Sequence, residues 1–358
     1  MEQLSNIKEL LELMTQPAFW VQSGVISYVN QAAANYMITP GTPVADILAG
    51  GSEEYAAFQG GCLYLTLRID TQSYGASVTR IDGQDIFRLD SFSDTPELQS
   101  MALAAQALRD PLTNLMVCVN RLLPNLNSKE DPAAQQQAAH INQSLHQMLR
   151  LIGNMSDAAR YTAEAPLRYV CRDICAILQE IFDKASALSE QTGVTLCFEN
   201  YPEAISCMID EERLERAVYN LISNAMKFTP AGGTIRAKLT RRENRLMFTV
   251  EDTGSGIPAH LRNNVFSRYL RQPNIEEGRQ GIGLGMVMVR AAAAAHGGTV
   301  LIDQSEEKGT RVTMTLTIRK PNSANFRSPQ LNVDYAGEYD HCLTELAEIL
   351  PVDVYCNK

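Results

Sequence analysis

At 358 residues, with 45% hydrophobic and 20% charged side chains, the chain has the make-up of a soluble globular protein of about two or three domains whose cores need no staples. A net charge of −10 and the lack of any basic run argue against direct binding to nucleic acid or to anionic membranes. No run of about 18 apolar residues occurs, and the start Met-Glu-Gln-Leu-Ser-Asn-Ile-Lys lacks the basic-then-apolar order of a signal peptide, so a cytoplasmic protein without a membrane span is expected.

Within 1–93 the pattern predicts a helix over 7–14, then two short apolar strands hinged at Ser23-Gly24 and a helical turn over 31–37 capped by Asn30. Strands follow over 63–69, 75–80 and 86–89, with Asp82-Gly83 as a hairpin turn. Small helices ahead of an antiparallel meander make an α+β module. With Tyr28-Val29-Asn30-Gln31-Ala32-Ala33 at the end of its second strand, the module resembles a PAS sensor domain. No ligand is readable. The first histidine of the chain is His140, which excludes axial haem ligation by histidine here, and no flavin-photosensor cysteine motif is present. A packing or dimerising module without a ligand fits the same residues.

Residues 94–162 read as a helical hairpin. Leu98, Met101, Ala105, Leu108, Leu112, Leu115, Val119 and Leu122 alternate in steps of three and four, a heptad seam, and Asp94-Thr95-Pro96-Glu97 opens the helix with cap, proline and acid. After a break over 124–132 a second seam runs through Ala134, Ala138, Ile141, Leu145, Met148, Ile152, Met155 and Ala159. Two helices with one apolar stripe each bury those stripes by pairing with a second copy, so a dimeric four-helix bundle is expected. His140 and His146 fall off the second seam and read as exposed.

Residues 163–320 alternate predicted helices over 172–190, 210–228 and 284–295 with strands over 194–199, 205–209, 234–239, 245–250, 299–303 and 311–318, a helix layer over a mixed or antiparallel sheet. Gly281, Gly283 and Gly285 precede an alanine-rich helix, and a helix opening on a glycine loop offers unpaired N–H groups and a positive dipole end to phosphate. In Asn220-Leu-Ile-Ser-Asn-Ala-Met-Lys-Phe-Thr-Pro two amides four apart share one helix face, and amide oxygens suit hard Mg²⁺. In Glu251-Asp252-Thr-Gly-Ser-Gly-Ile-Pro a carboxylate ends an apolar strand, where it can accept an exocyclic amine, and Gly254 and Gly256 leave room for a planar base.

Together with Gln106-Ala-Leu-Arg-Asp-Pro-Leu-Thr, these three stretches, in the chain order Asn220, Asp252, Gly281, resemble sensor histidine kinases, whose phosphoacceptor helix usually reads His-Glu-Leu-Arg-Thr-Pro-Leu. The implied architecture is multidomain α+β: a PAS-like α/β sensor, a helical hairpin forming a dimeric bundle, and a C-terminal α/β sandwich of the gyrase-type (GHKL, Bergerat) ATPase fold. By the resemblance ATP and Mg²⁺ are bound, with Asn224 as metal ligand, Lys227 as phosphate contact and Asp252 as adenine anchor. Asn220, Gly254, Gly256, Tyr269, Gln280, Gly281, Gly283, Leu284, Gly285 and Thr310 complete the implied site. Val265-Phe266-Ser-Arg-Tyr stands at the family's Phe-x-x-Phe box, which makes 273–279 the lid and leaves Arg268, Arg271 and Arg279 either reaching phosphates or solvated.

Leu108, Arg109, Pro111 and Leu112 match the acceptor-helix pattern, yet Gln106 stands at the acceptor position, Ala107 at the acid/base position and Asp110 at the water-positioning one. A carboxamide nitrogen is no useful nucleophile and alanine takes no proton, so no catalytic residue is assigned and self-phosphorylation is expected to be absent. Three readings stay open: an ATP-binding signalling protein that cannot label itself, an active kinase that phosphorylates a partner histidine, and a non-enzymatic scaffold with a vestigial site. The implied partners are a second copy, a heterodimer with an active histidine kinase, and a response-regulator receiver domain. The extension 321–358 carries an amphipathic segment over 341–350, with Leu343, Leu346 and Ile349 on one side, expected to dock on the ATP-binding domain or hold a partner. The eight scattered cysteines read as reduced, mostly buried thiols.

Overall fold

The computed structural model describes residues 8–9, 11–81, 83–90, 96–126, 132–160, 167–258, 265–266, 284–305, 308–320 and 340–356. Its N-terminal strands are β1 (Ala18–Gln22), β2 (Val25–Val29), β3 (Cys62–Ile69), β4 (Gln72–Ile81) and β5 (Gln84–Asp90), with helices α1 (Gln31–Ala34) and α2 (Ser52–Ala57) between β2 and β3. Ser23 and Gly24 take φ of 51° and 77°, the left-handed pair that a two-residue hairpin between β1 and β2 requires. Asn30 is 1% exposed and ties the module together. Its Oδ1 accepts from the Ala33 amide at 2.9 Å, which caps α1, and from Ala18 at 3.0 Å, while its Nδ2 donates to Leu11 and Gln16 carbonyls at 3.0 Å each. Ile81 pairs with Gln84 across the expected hairpin turn, of which Asp82 lies outside the described residues.

Two long helices follow, α3 (Pro96–Leu126) and α4 (Pro132–Arg160). The expected cap Asp94 falls outside the described residues. The helices bury Ala105, Leu112 and Met116 of α3 against Leu145, Leu149 and Ile152 of α4. Val119 and Met155 pack against this cluster and Ala138 is buried, but four other seam positions behave differently, because in one chain each helix has a single neighbour in the hairpin. Leu108 (52%), Leu115 (55%), Ile141 (49%) and Met148 (42%) are exposed.

The C-terminal half holds β6 (Val170–Asp173), α5 (Ile174–Ser189), β7 (Thr195–Glu199), β8 (Ser206–Ile209), α6 (Glu211–Phe228), β9 (Thr234–Arg242), β10 (Arg245–Asp252), α7 (Gly285–Ala295), β11 (Val300–Gln304) and β12 (Thr310–Thr317). Asp173 and Asp210 cap α5 and α6, each accepting a backbone N–H of the first turn. Helices α5, α6 and α7 bury one apolar face each in a core shared with β9, β10, β11 and β12, in which Phe182 stacks on Phe198 at 4.3 Å between centroids. Sequence periodicity places the helix start at 172, whereas Arg172 and Asp173 extend a strand, β6, that pairs with β8 in a separate two-stranded sheet.

One feature lies beyond the expected division into modules. Ten strands run in one sheet, in the order β2-β1-β5-β4-β3-β11-β12-β10-β9-β7, and the N-terminal meander joins the C-terminal sheet where β3 pairs antiparallel with β11. Both strands would otherwise be open edges, and Cys62, Tyr64, Val300 and Ile302 are at most 1% exposed at the junction. Arg290 of α7 lies over the Tyr64 ring at 5.1 Å and pairs with Asp90, while Tyr64 also meets Phe266 at 5.2 Å between centroids.

The segment 340–356 opens with α8 (His341–Glu345), capped by Asp340. Leu343, Leu346, Ala347, Leu350 and Tyr355 are buried in the C-terminal core, so this segment docks as expected. All eight cysteines are reduced thiols, as expected; Cys62, Cys175, Cys207 and Cys342 are buried and Cys356 partly so, but Cys118, Cys171 and Cys197 are exposed on α3, β6 and β7. No described helix is long and apolar enough to cross a membrane.

Candidate functional site

Helix α6 carries the amide pair because Asp210 starts it and Leu214, Val218, Leu221, Ile222 and Ala225 anchor one face, which fixes Asn220 and Asn224 side by side. Asn220 is 1% exposed and its Nδ2 donates to the Arg216 carbonyl at 2.8 Å. Asn224, one turn on, is only partly buried, which leaves its amide available to a ligand. Helix α7 packs against this face. A Cβ built on Gly285 would stand 2.8 Å from Asn220 Oδ1 and 3.7 Å from Asn224 Nδ2, so a residue larger than glycine would push the first turn of α7 off the amide pair. That first turn has no side-chain cap, and Leu284 before it is buried. Its N–H groups and dipole therefore face the same side as Asn224.

Asp252 ends β10 and is 6% exposed. Its Oδ1 accepts from the Gly254 amide at 2.8 Å and the Thr310 amide at 3.2 Å, which fixes the carboxylate and leaves Oδ2 out of both bonds. Burial raises its pKa, and the two N–H donors together with the Thr310 hydroxyl offset that rise only in part. A carboxylate held this way presents one desolvated acceptor of high selectivity for an amine or amide N–H. Close packing within the protein itself requires glycine at 254 and 256, the two positions that the sequence suggested for a bound base. A side chain on Gly254 would strike the Phe228 carbonyl, and one on Gly256, at φ +70°, would come within 2.5 Å of the Lys308 carbonyl. The same close approach brings the end of α6, with Asn224 and Lys227, up to the Asp252 loop. Tyr269, Gln280, Gly281 and Gly283 lie outside the described residues, as do Arg268, Arg271, Arg279 and the expected lid over 273–279.

Gln106 and Ala107 are exposed on α3, beside buried Ala105, so the acceptor position faces outward. His140 is exposed, but His146 is not. It is 5% exposed beneath the C-terminal segment, with Nδ1 3.0 Å from Thr344 Oγ1, and burial pushes its pKa down to about 4. The correction has a long-range cause, since Thr344 lies far away in sequence.

The same cause hid a charged cluster between α4, α6 and the C-terminal segment. Glu345, with no exposed surface, pairs with Arg150 at 3.3 Å and with Arg216 at 3.5 Å. Arg216 also pairs with Asp157 and donates to Asn154 at 2.9 Å, and Arg150 donates to Ser223 at 2.9 Å, one residue from Asn224. Glu348 lies 3.4 Å from Arg150 and 4.0 Å from Lys227. Spacing on α6 finds Lys227, but no spacing within one segment finds its acidic neighbour.

Residues 209–320 match the family of histidine kinase-, DNA gyrase B- and HSP90-like ATPases. Curated relatives include the adaptive-response sensory kinase SasA of Synechococcus sp. strain JA-3-3Ab, 27% identical over 221 residues, with 61% of this chain and 58% of that protein covered. Sensor histidine kinase TmoS of Ectopseudomonas mendocina is 28% identical over 235 residues, covering 64% of this chain and 24% of that protein. The chain thus spans little more than half of the first relative and about a quarter of the second. The solved structure of full-length ShkA in complex with AMPPNP is similar with a TM-score of 0.50 at 23% identity, over 62% of this chain and 47% of that one, a likeness of fold. Residues 209–320 thus carry a histidine kinase-, DNA gyrase B- and HSP90-like ATPase domain, and over about three fifths of its length the chain is similar to sensor histidine kinases.

Proposed function

We propose that this chain binds Mg-ATP between α6, α7 and the end of β10 and acts in two-component-type signalling without phosphorylating itself. The observation that carries the reading is the Asp252 carboxylate, fixed through one oxygen by Gly254 and Thr310 and adjoining the Asn224 face of α6. Asp252 Oδ2 accepts the adenine amine, and the uncapped first turn of α7 with Lys227 takes the phosphates. Asn224 offers one hard neutral oxygen, which suits a Mg²⁺ that arrives with the triphosphate and keeps several waters. Bound there, the cation neutralises phosphate charge. Gly254, Gly256, Leu284, Gly285 and Thr310 shape the site, and Asn220 replaces the base that the hydrolytic relatives use, so rapid hydrolysis is not expected.

Under this proposal 1–93 is a PAS-like sensor, 94–162 a dimerising hairpin, 163–320 the ATP-binding domain and 321–358 an extension. The antiparallel meander behind α1 supports the first assignment. The exposed stripe through Leu108, Leu115, Ile141 and Met148 supports the second. Gln106 and Ala107 are the only acceptor-motif chemistry that α3 displays at this position, and neither transfers a phosphoryl group. Receiver domains and an active kinase partner in a mixed dimer remain the natural recipients of the signal. The site is checked by calorimetry on the full chain. Mg-ATP should bind with a Kd between micromolar and millimolar, and Asp252→Asn, which turns an acceptor into a donor toward adenine, should weaken it at least about tenfold. A folded wild-type protein that binds no Mg-ATP overturns the reading.

A further inference from the structure

The C-terminal segment 340–356 does more than cover apolar surface. Its backbone carbonyls are gripped by α4: Gln143 Nε2 donates to Leu350 O at 2.7 Å and Ala347 O at 3.2 Å, and Gln147 Nε2 donates to Ala347 O at 3.0 Å. Asn142 donates to Tyr355 O at 3.4 Å, and the His146 and Tyr355 rings lie 5.4 Å apart. On its other side the segment meets α6, where His341 Nδ1 is 3.1 Å from Glu215 and Glu345 reaches Arg216. The strap therefore joins the helical hairpin to the helix that carries Asn220, Asn224 and Lys227.

Its two carboxylates sit where anionic charge matters most to that helix. Glu348 approaches both Lys227 and Arg150, and Arg150 in turn holds Ser223 beside Asn224. Lys227 is only 14% exposed and Glu348 23%, so this contact is screened less than a surface pair. A lysine ammonium is a compact charge on a flexible stem that serves one strong anionic partner at a time as well as it serves another.

We propose that segment 340–356 is an intramolecular competitor of the nucleotide's phosphates: Glu348 occupies Lys227 while Glu345 pins α4 to α6, so triphosphate entry and strap release are coupled. The inference rests on the reading of Lys227 as a phosphate contact. By linkage, a ligand that takes Lys227 weakens the strap, and weakening the strap favours that ligand by the same factor. Adenosine, which has the base but no phosphate, is indifferent to the strap.

The test is calorimetry of Mg-ATP and of adenosine on the full chain, wild type against Glu348→Gln, a partly exposed position whose amide keeps the shape and leaves the buried Glu345 intact. Glu180→Gln, which removes one acid of an exposed pair with Lys184, controls for general charge. The expected result is about threefold to tenfold tighter Mg-ATP binding in E348Q, unchanged adenosine binding, and no change in E180Q. Saturating Mg-ATP should also speed amide exchange over 342–355 in the wild type. Equal Mg-ATP affinity in E348Q and wild type, or an equal gain in E180Q, overturns the strap proposal while adenosine and ATP binding keep the nucleotide site. If neither protein binds ATP or adenosine, the nucleotide site itself falls and the strap proposal with it.

Discussion

His146 is the side chain with the most to lose from acid. It is buried against Thr344 and Tyr355, with Asp340 as the charge that acts on it, and burial holds its pKa near 4 against an ordinary value of 6.5. Asp340 pulls the value upward, but less than burial lowers it. Between those values the unfolded chain binds a proton that the folded one does not, so the contribution of His146 to stability is complete above about pH 6.5 and is lost as pH falls toward 4. The shift corresponds to about 3 kcal/mol at most. The protection factor of the amides over 342–355, taken against the intrinsic exchange rate at each pH, should therefore fall between pH 7.5 and pH 5 in the wild type, and His146→Leu should flatten that dependence. An identical pH profile in both proteins would contradict the assignment.

At the scale of elements, α3 and α4 show how one apolar pattern serves two surfaces. Ala105, Leu112 and Met116 close the hairpin within the chain, whereas Leu108, Leu115, Ile141 and Met148 stay exposed. A stripe of large aliphatics left in water on two adjacent helices marks an association surface, and the proposal gives it to a second copy. The double substitution Leu108→Glu with Leu115→Glu should leave the hairpin folded and turn a dimer into a monomer by light scattering. Leu112→Glu should instead unfold the hairpin, because that side chain is 5% exposed within it. A dimer that survives the double substitution places the interface elsewhere. These helices were legible in the sequence because a 3.6-residue period is a local property, and so were the Asn30 cap and the Ser23-Gly24 turn. The boundary at 172 was misplaced because Arg172 and Asp173 owe their extended form to pairing with β8, a partner more than thirty residues away. The amide face of α6 and Asp252 were legible from motif spacing. Glu345, Glu348, Arg150 and the burial of His146 were not, since each depends on a segment that returns from the far end of the chain.

Across the whole molecule, three connections bind the parts to the ATPase domain. The N-terminal meander enters its sheet through β3 and β11, Arg290 ties α7 to Asp90 at the end of that meander, and segment 340–356 ties α4 to α6. Asp90 lies a few residues before α3, so the segment entering the hairpin and the helix following the glycine loop share one ion pair. This is an arrangement suited to passing a conformational bias from one module to the next, and it does not require the chain to transfer phosphate itself. The central claim is that the nucleotide site is kept while the acceptor is lost, and incubation with γ-labelled ATP tests it most directly. Wild type should carry no acid-labile, base-stable phosphate. Gln106→His with Ala107→Glu should label, and Gln106→His alone should label more slowly, since general-base assistance is worth about 10²–10⁴ in rate. Label on the wild-type chain, mapped to His140 or another of its own histidines, would contradict the account.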